Sequence, residues 1–337
     1  MHRRALLALA ASSLAVVGLG QNPARADEYR VSGPVVHENL AIYLVHGKSA
    51  AGAVPLTLDE ALRKGAVKVH ETGNVNELQI ENLGAEEVFI QAGDIVKGGQ
   101  QDRVLSVSLV LPAKSGRLPI ASFCVEQGRW SARGKEDVKT FATAAASVPS
   151  REAKLAIRAP AAGPVPASPQ QQVWARVRKV QDGLAANLGA PVRAAASQSS
   201  LQLSLENEKL ADAQDAYLKA LLKEGEAADV VGYVFAIDGK LNSAEIYPSN
   251  GLFRKMWPKL LKASITEAIG QKNSGAADPV PTSDAARAFL DQAAKGAASE
   301  MPLPASVRLE TRQAENAFYF ETRRADGAFV HRSYLAK

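Results

Sequence analysis

Residues 230–247 read Val-Val-Gly-Tyr-Val-Phe-Ala-Ile-Asp-Gly-Lys-Leu-Asn-Ser-Ala-Glu-Ile-Tyr. Two apolar runs flank Asp238-Gly239, a pair that fits the positive φ angles of a two-residue type I′ turn. The stretch therefore predicts an antiparallel β-hairpin. Because helical patterns precede and follow it, the C-terminal half of the chain is predicted to be α+β.

Helical patterns surround this hairpin. Residues 168–171, Ser-Pro-Gln-Gln, predict a helix start with a capping box and a proline in the first turn. A second helix is predicted over about residues 205–223. A third begins near Asn250 and carries a wide apolar stripe, so it should be deeply packed. Pro258 is expected to kink or split it, because proline lacks the N–H and crowds the preceding turn. Two terminal strands are expected near 318–322 and 329–333.

The N-terminal half instead has a period of two, which is typical of half-buried strands. Thr57-x-x-Glu60 predicts one short helix through a capping box. Many short strands at close spacing favour an antiparallel β-sandwich or a partly open barrel. The predicted strands are 40–45, 66–70, 77–81, 87–91, 104–111 and 120–126.

Composition divides the chain into four parts. Residues 1–26 are predicted to be a signal peptide and 27–141 a β-rich half. Residues 142–168 are rich in Ala, Pro and Ser, which indicates a linker or a long loop. Residues 169–337 form the α+β half, and 27–270 as one composite domain is the alternative.

The first 26 residues have the three parts of a secretory signal: a basic start, a short apolar run and a small-x-small ending at Ala24-Arg-Ala26. The run is shorter than the roughly 20 residues that span a bilayer. We therefore expect cleavage after Ala26, a periplasmic or secreted protein, and no membrane association afterwards. Arg3-Arg4 also permits the twin-arginine route besides Sec export.

Charge and residue counts exclude several classes of function. Loss of the signal's three arginines lowers the formal net charge from +5 to +2, and no basic block points to nucleic acid. Cys124 is the single cysteine, so an intramolecular disulfide is excluded, and a buried structural thiol is expected. The mature chain's four histidines are widely spaced, so no metal site is predicted. His70-Glu71 is interpreted as a surface pair. No cofactor or protein partner is indicated.

A dense polar stretch, Gly93-Asp-Ile-Val-Lys-Gly-Gly-Gln-Gln-Asp-Arg103, lies between two predicted strands. Glycines let the backbone turn sharply, and consecutive amides in such turns can cradle an anion. A second polar group, Cys124-Val-Glu-Gln-Gly-Arg-Trp130, ends the β-rich half. Spacing alone favours a bulged hairpin with a solvated rim for the first group and an ion pair at a strand end for the second. If strands 104–111 and 120–126 pair antiparallel, the two groups lie side by side.

Together these segments resemble the ADP-ribosylglycohydrolase- and rhodanese-phosphatase-associated domain family of bacterial proteins, over roughly residues 35 to 270. The family is named for the domains that its members accompany, so the resemblance implies a link to ADP-ribose or nucleotide chemistry by association only. The residues that carry it are Glu81-Asn82, Gly93-Asp94, Lys97-Gly-Gly-Gln-Gln-Asp-Arg103, Pro112-Ala-Lys-Ser115, Cys124-Val-Glu126, Gly128-Arg-Trp130, Gly239-Lys240, Leu252-Phe-Arg-Lys255 and Trp257-Pro-Lys-Leu260.

Two functions are consistent with this cluster. The first is a pocket that binds or processes an anionic small molecule, for example one like a nucleotide or ADP-ribose, with Glu126 as general base and Asp102 as a second acid. Its ligand-binding residues would be Gly98, Gly99, Gln100, Gln101, Arg103, Arg129 and Trp130. The second is a non-catalytic exported binding or structural module, in which the same polar groups form an internal network. The sequence does not decide whether the protein is an enzyme.

Overall fold

The structure, a computed structural model, describes residues 29–131, 133–134, 136–158, 168–272, 275 and 277–337. The predicted signal peptide lies outside the described residues. The helices are Leu58–Arg63 (α1), Arg151–Arg158 (α2), Pro169–Leu188 (α3), Leu201–Leu205 (α4), Glu208–Leu221 (α5), Asn250–Gln271 (α6) and Ser283–Ala293 (α7).

Antiparallel strands from both ends of the described chain form a large sheet. The predicted hairpin lies near its centre, and every residue of its first strand is buried. In spatial order the strands are Arg30–His37 (β1), Leu40–His46 (β2), Val230–Ile237 (β12), Lys240–Ile246 (β13), Phe329–Ala336 (β17), Ala317–Arg324 (β16), Val307–Gln313 (β15) and Ala297–Leu303 (β14).

A second sheet curls into a nearly closed barrel. The two edges of this sheet meet, because His70 in one edge strand forms a β-bridge to Thr140. Thr140 directly precedes the strand at the other edge. Its strands, in spatial order, are Phe141–Ser147 (β11), Asp94–Gly98 (β7), Arg103–Leu105 (β8), Gly116–Cys124 (β10), Glu77–Asn82 (β5) and Val67–Glu71 (β4). A small third sheet contains Leu56–Thr57 (β3), Val88–Ile90 (β6) and Leu109–Leu111 (β9).

Apolar side chains cover both faces of the large sheet. On one face, α6 packs Phe253, Trp257 and Leu261 against aromatic residues of β12. On the other face, α7 contributes Phe289 and Leu290. A separate cluster fills the barrel. The described residues contain no helix that is long and apolar enough to cross a membrane.

The structure confirms the mixed α+β fold and its strongest local signals. Asp238 and Gly239 have φ angles of 48° and 78°, so the hairpin turn has the predicted positive-φ geometry. The capping boxes of Thr57 and Ser168 are both present.

Two local predictions differ from the structure. The predicted linker 142–168 contains most of β11 and all of α2, and residues 159–167 lie outside the described part. The predicted strand 104–111 divides into β8 and β9, which belong to different sheets. Ser106 still follows β10, since its amide and its hydroxyl both donate to the Ala121 carbonyl, whereas residues 109–111 pair with β6.

Of the two outcomes expected at Pro258, the split is wrong, because α6 continues without interruption from Asn250 to Gln271, and the kink stays a prediction. The carbonyl that loses its helical donor belongs to Arg254, four residues earlier. Both residues lie on the exposed side of the helix, where water can satisfy that carbonyl. The apolar stripe on the opposite side keeps its packing.

Candidate functional site

Strand pairing brings the two polar groups of the sequence together. Residues 103–105 of β8 pair with 122–124 of β10, and Arg103 lies opposite Cys124. Beyond the paired residues, the Val125 amide donates to the Asp102 carbonyl at 3.0 Å. Residues 98–103, residues 124–131 and Arg133 therefore meet at one end of the barrel sheet, and we call this group of side chains the motif cluster.

The two proposed acids of the motif cluster, Asp102 and Glu126, are both 0% exposed. Asp102 Oδ1 accepts from the Gly98 amide at 3.0 Å, and Oδ2 accepts from the Ser200 hydroxyl at 2.7 Å. Glu126 Oε2 accepts from the Asp102 amide at 3.1 Å and from Arg129 Nε at 2.7 Å. Glu126 thus fixes the backbone of the first polar group, and Asp102 fixes the glycine turn of its own group and links it to Ser200.

Arg133 joins the two carboxylates, and the sequence analysis missed it. Its Nη1 and Nη2 each donate to Asp102 at 3.0 Å, the two-pronged geometry that guanidinium and carboxylate groups favour. Nη1 also donates to Glu126 Oε1 at 3.1 Å, and Nη2 donates to Glu136 at 2.9 Å. The sequence signal is weak, because Arg133 lies three residues beyond Trp130 in a turn without regular secondary structure.

Arg129 closes the glycine turn over the cluster. Besides Glu126, it donates to the carbonyls of Gly98 and Gly99, each at 3.1 Å. Gly99 has a φ of 55°, and a Cβ placed there would lie 2.3 Å from the Phe141 ring. A side chain at this position would clash, so the tight turn requires glycine.

Arg103 forms a separate ion pair at the base of the cluster. It is 0% exposed, and its Nη2 donates to both carboxylate oxygens of Glu71 at 3.2 and 3.3 Å. The interpretation of His70-Glu71 as a surface pair is therefore wrong for Glu71, which is buried against Arg103. His70 faces Glu81 instead, at 3.5 Å.

Cys124 and Gln101 complete the surroundings of Arg103. Arg103 Nη1 donates to Gln101 Oε1 at 3.1 Å and also contacts Cys124 Sγ. Gln101 Nε2 donates to the Glu126 carbonyl at 2.8 Å. Burial raises the pKa of Cys124 to about 11, although the charge of Arg103 opposes this shift. The thiol is therefore not an activated nucleophile.

Two of the proposed ligand-binding residues lie nearer the surface. The Gln100 amide donates to Glu71 at 3.3 Å, and Trp130 is 52% exposed. Between residues 127–131, residues 133–134 and the loop 196–199 lies an open concavity of about 640 Å³, which Arg129 and Arg133 help to line. Within the described residues, no three His, Cys, Asp or Glu side chains lie where they could share a metal ion.

A second buried polar group aligns a hydroxyl, an imidazole and a carboxylate. Ser108 Oγ lies 3.0 Å from His331 Nδ1, and His331 Nε2 lies 3.0 Å from Glu245 Oε2. All three residues are buried. Ser108 Oγ also accepts from the Ala92 amide at 2.9 Å, so this hydroxyl is held in the core rather than presented to a substrate.

The sequence profile of the ARG and Rhodanese-Phosphatase-superfamily-associated Protein domain matches residues 28–335. The chain belongs to this family. In this family member, the domain includes both the barrel with the motif cluster and the large sheet with its helices. No curated protein matches the chain, and no solved structure matches it.

Proposed function

We propose that this family member is an exported, non-catalytic binding module whose motif cluster is an internal network. The observation that carries the proposal is the complete pairing of the two carboxylates. All four oxygens of Asp102 and Glu126 accept hydrogen bonds from protein groups, and both residues are fully buried. A catalytic role for either acid would require the cluster to open.

The network supports this function by fixing loops. Asp102 links the Gly98 turn to Ser200, and Ser200 caps α4 through the Leu203 amide. Arg133 holds the segment after Trp130 against the same carboxylate. The loops that form the open concavity are therefore attached to one buried group of charges, and a preformed surface lowers the entropic cost of binding.

Glu126→Gln tests this proposal. In glutamine an NH₂ group replaces one carboxylate oxygen, so a hydrogen-bond donor then faces another donor, either a guanidinium or a backbone amide. We expect a loss of unfolding free energy of about 3 kcal/mol, as for other broken buried ion pairs. The matched control is Glu38→Gln, since Glu38 forms an exposed, solvent-screened pair with Lys272, whose loss should leave the stability close to that of the wild type. Equal stability of the two variants would contradict the proposal.

The second candidate is a binding site in the concavity for an anionic small molecule such as a nucleotide or ADP-ribose. Arg129 and Arg133 favour it because they line this space, and Trp130 presents an exposed ring in the same loop that could stack on a planar group. Calorimetric titration with ADP-ribose tests it. Binding that Trp130→Ala abolishes while the melting temperature stays unchanged would support this candidate, and the absence of heat with the wild type would reject it.

A further inference from the structure

Three polar side chains form a hydrogen-bonded row on one face of the large sheet. Ser32 lies in β1, His46 ends β2, and Asp229 directly precedes β12. Ser32 Oγ lies 2.6 Å from His46 Nε2, and His46 Nδ1 lies 2.9 Å from Asp229 Oδ1. A hydroxyl, an imidazole and a carboxylate in this order are the nucleophile, the base and the orienting acid of serine hydrolases, and this arrangement occurs on unrelated folds.

The strand register places these side chains together. Arg30 of β1 pairs with His46 of β2, so Ser32, two residues further along β1, is a diagonal neighbour of His46 on the same face. Strand β12 pairs with the other side of β2, and the Gly47 amide donates to the Asp229 carbonyl at 2.9 Å. Backbone pairing on both sides of β2 therefore holds the hydroxyl and the carboxylate beside the imidazole.

The two partners of His46 determine which ring nitrogen carries the proton. The hydrogen bond from His46 holds the pKa of the Asp229 carboxyl below its ordinary value, and the charge of Arg30, which donates to Asp229 at 3.2 Å, acts in the same direction. An ionised carboxylate can only accept, so Nδ1 carries the proton and Nε2 accepts. Ser32 therefore donates to Nε2, which is the arrangement in which the imidazole can take the hydroxyl proton.

The position of this row at the sheet edge makes the serine accessible. Ser32 is half-buried in an edge strand, and the side chain of Asp229 is 58% exposed. The group of Ser108, His331 and Glu245 contains the same types of side chain, but all three residues are buried in the core. A substrate can therefore reach Ser32 without any movement of the core, whereas it cannot reach Ser108.

We propose that Ser32, His46 and Asp229 form a hydrolytic site for carboxylic esters. Ser32 Oγ attacks the carbonyl carbon while its proton moves to His46 Nε2, and the leaving alcohol takes this proton when its bond to the carbon breaks. Water then attacks the acyl group on Ser32 and gives a proton to Nε2. The bond between Oγ and the acyl carbon breaks, the serine takes the proton back, and the acid leaves. Asp229 is a positioning residue that acts through His46.

Arg30 supplies positive charge beside the row. It lies two residues before Ser32 on the same face of β1, donates to Asp229 through Nη2, and has a side chain that is 64% exposed. Its other N–H groups can turn toward the oxyanion that forms at Ser32. Water screens the charge of the exposed Asp229, so this carboxylate stabilises an imidazolium less than a buried one does. Esters are therefore the expected substrates, because an alcohol leaves more readily than an amine.

This inference goes beyond the proposed function, because it adds a catalytic site on the large sheet and leaves the acids of the motif cluster non-catalytic. No residue of the motif cluster takes part in the row. The stability test with Glu126→Gln and the test of Ser32 can therefore succeed or fail separately.

Labelling of the full mature chain with a fluorophosphonate, whose fluoride an activated serine displaces, tests the inference. Peptide mass spectrometry should find the label on Ser32, and the protein should hydrolyse p-nitrophenyl acetate faster than buffer does. Ser32→Ala should abolish the label and lower kcat/KM by roughly a hundredfold or more. The matched control is Ser299→Ala, because Ser299 is an exposed serine of β14, the strand at the opposite edge of the same sheet. This variant should react as the wild type does.

A second variant keeps the test decisive if Ser32→Ala does not fold. Asp229→Asn changes an exposed side chain and keeps the nucleophile, so the melting temperature should stay close to that of the wild type while the labelling rate falls by about tenfold or more. Three outcomes would overturn the inference: no labelling of the wild type, label on other serines in place of Ser32, or equal labelling rates in the wild type and folded Asp229→Asn. Ester hydrolysis that survives in folded Ser32→Ala would also overturn it.

Discussion

Replacing Arg133 by methionine should destabilise the protein more than any exposed charge substitution does. The change keeps much of the side-chain volume and removes the guanidinium that donates twice to Asp102 and once to Glu126. Asp102 retains the Gly98 amide and the Ser200 hydroxyl. Glu126 Oε1 loses the one hydrogen-bond donor that the described residues give it, so a buried negative charge becomes less compensated.

Breaking a buried ion pair by removing one partner costs about 3–5 kcal/mol, and we expect Arg133→Met to lose about that much unfolding free energy. Denaturant unfolding followed by circular dichroism measures the loss. Arg117→Met is the matched control, because Arg117 is exposed and lies 3.6 Å from Glu81, a pair worth less than about 1 kcal/mol.

A double-variant cycle separates the network from general loss of packing. Residues in one ion-pair network show coupling of about 0.5–3 kcal/mol. Arg133→Met combined with Glu126→Gln should therefore lose at least 0.5 kcal/mol less than the two single losses added together, a threshold set by that range. Additive losses, or an Arg133→Met variant as stable as Arg117→Met, would refute the reasoning.

Four further predictions follow from single positions. Gly99→Ala should lose about 1–3 kcal/mol of stability through overpacking against Phe141, and a melting temperature equal to the wild type's would contradict this. Burial raises the pKa of Cys124 to about 11, so a thiol reagent at pH 8 should label this residue only after unfolding, and rapid labelling of the native protein would disprove it. Burial also raises the pKa of Glu267 above 4.5, so the bound proton stabilises the native state below pH 4.5, and this stabilisation is lost as the pH rises through the native pKa. Glu267→Gln has no such proton to lose, so its stability should rise relative to that of the wild type over the same pH range. A stability difference that does not change with pH would contradict this prediction. Mass spectrometry of the exported protein should find Asp27 as the first residue, and an intact N-terminus would reject the signal peptide.

The fold elements that the sequence predicted are those with local signals. Asp238-Gly239 determines its turn through backbone geometry, and the capping boxes at Thr57 and Ser168 involve residues only three apart. Strand β14 has no such signal. Residues 297–303 form an exposed edge strand that includes Pro302, so no apolar alternation marks it.

The sequence predicted where the candidate site lies, but only some of the residues that its charged groups contact. Antiparallel pairing of β8 and β10 is a short-range consequence of two strand patterns, and it brings the two polar groups together as expected, with Arg103 opposite Cys124. The partners of the charged groups come from distant segments. Glu71 is 32 residues from Arg103, and Ser200 is 98 residues from Asp102. Such pairs depend on how the barrel closes and where α4 packs, which no local pattern encodes.

Hydrogen exchange at the Asp102 amide tests the central claim most directly. This N–H donates to buried Glu126 Oε2 at 3.1 Å, so it reports whether the motif cluster is closed in the ligand-free protein. The account predicts protection comparable to that of the β12 amides, and selective loss of protection at Asp102 in Glu126→Gln. Exchange of the wild-type Asp102 amide at the rate of an exposed loop would contradict it, because the carboxylates would then be open to solvent as a ligand site requires.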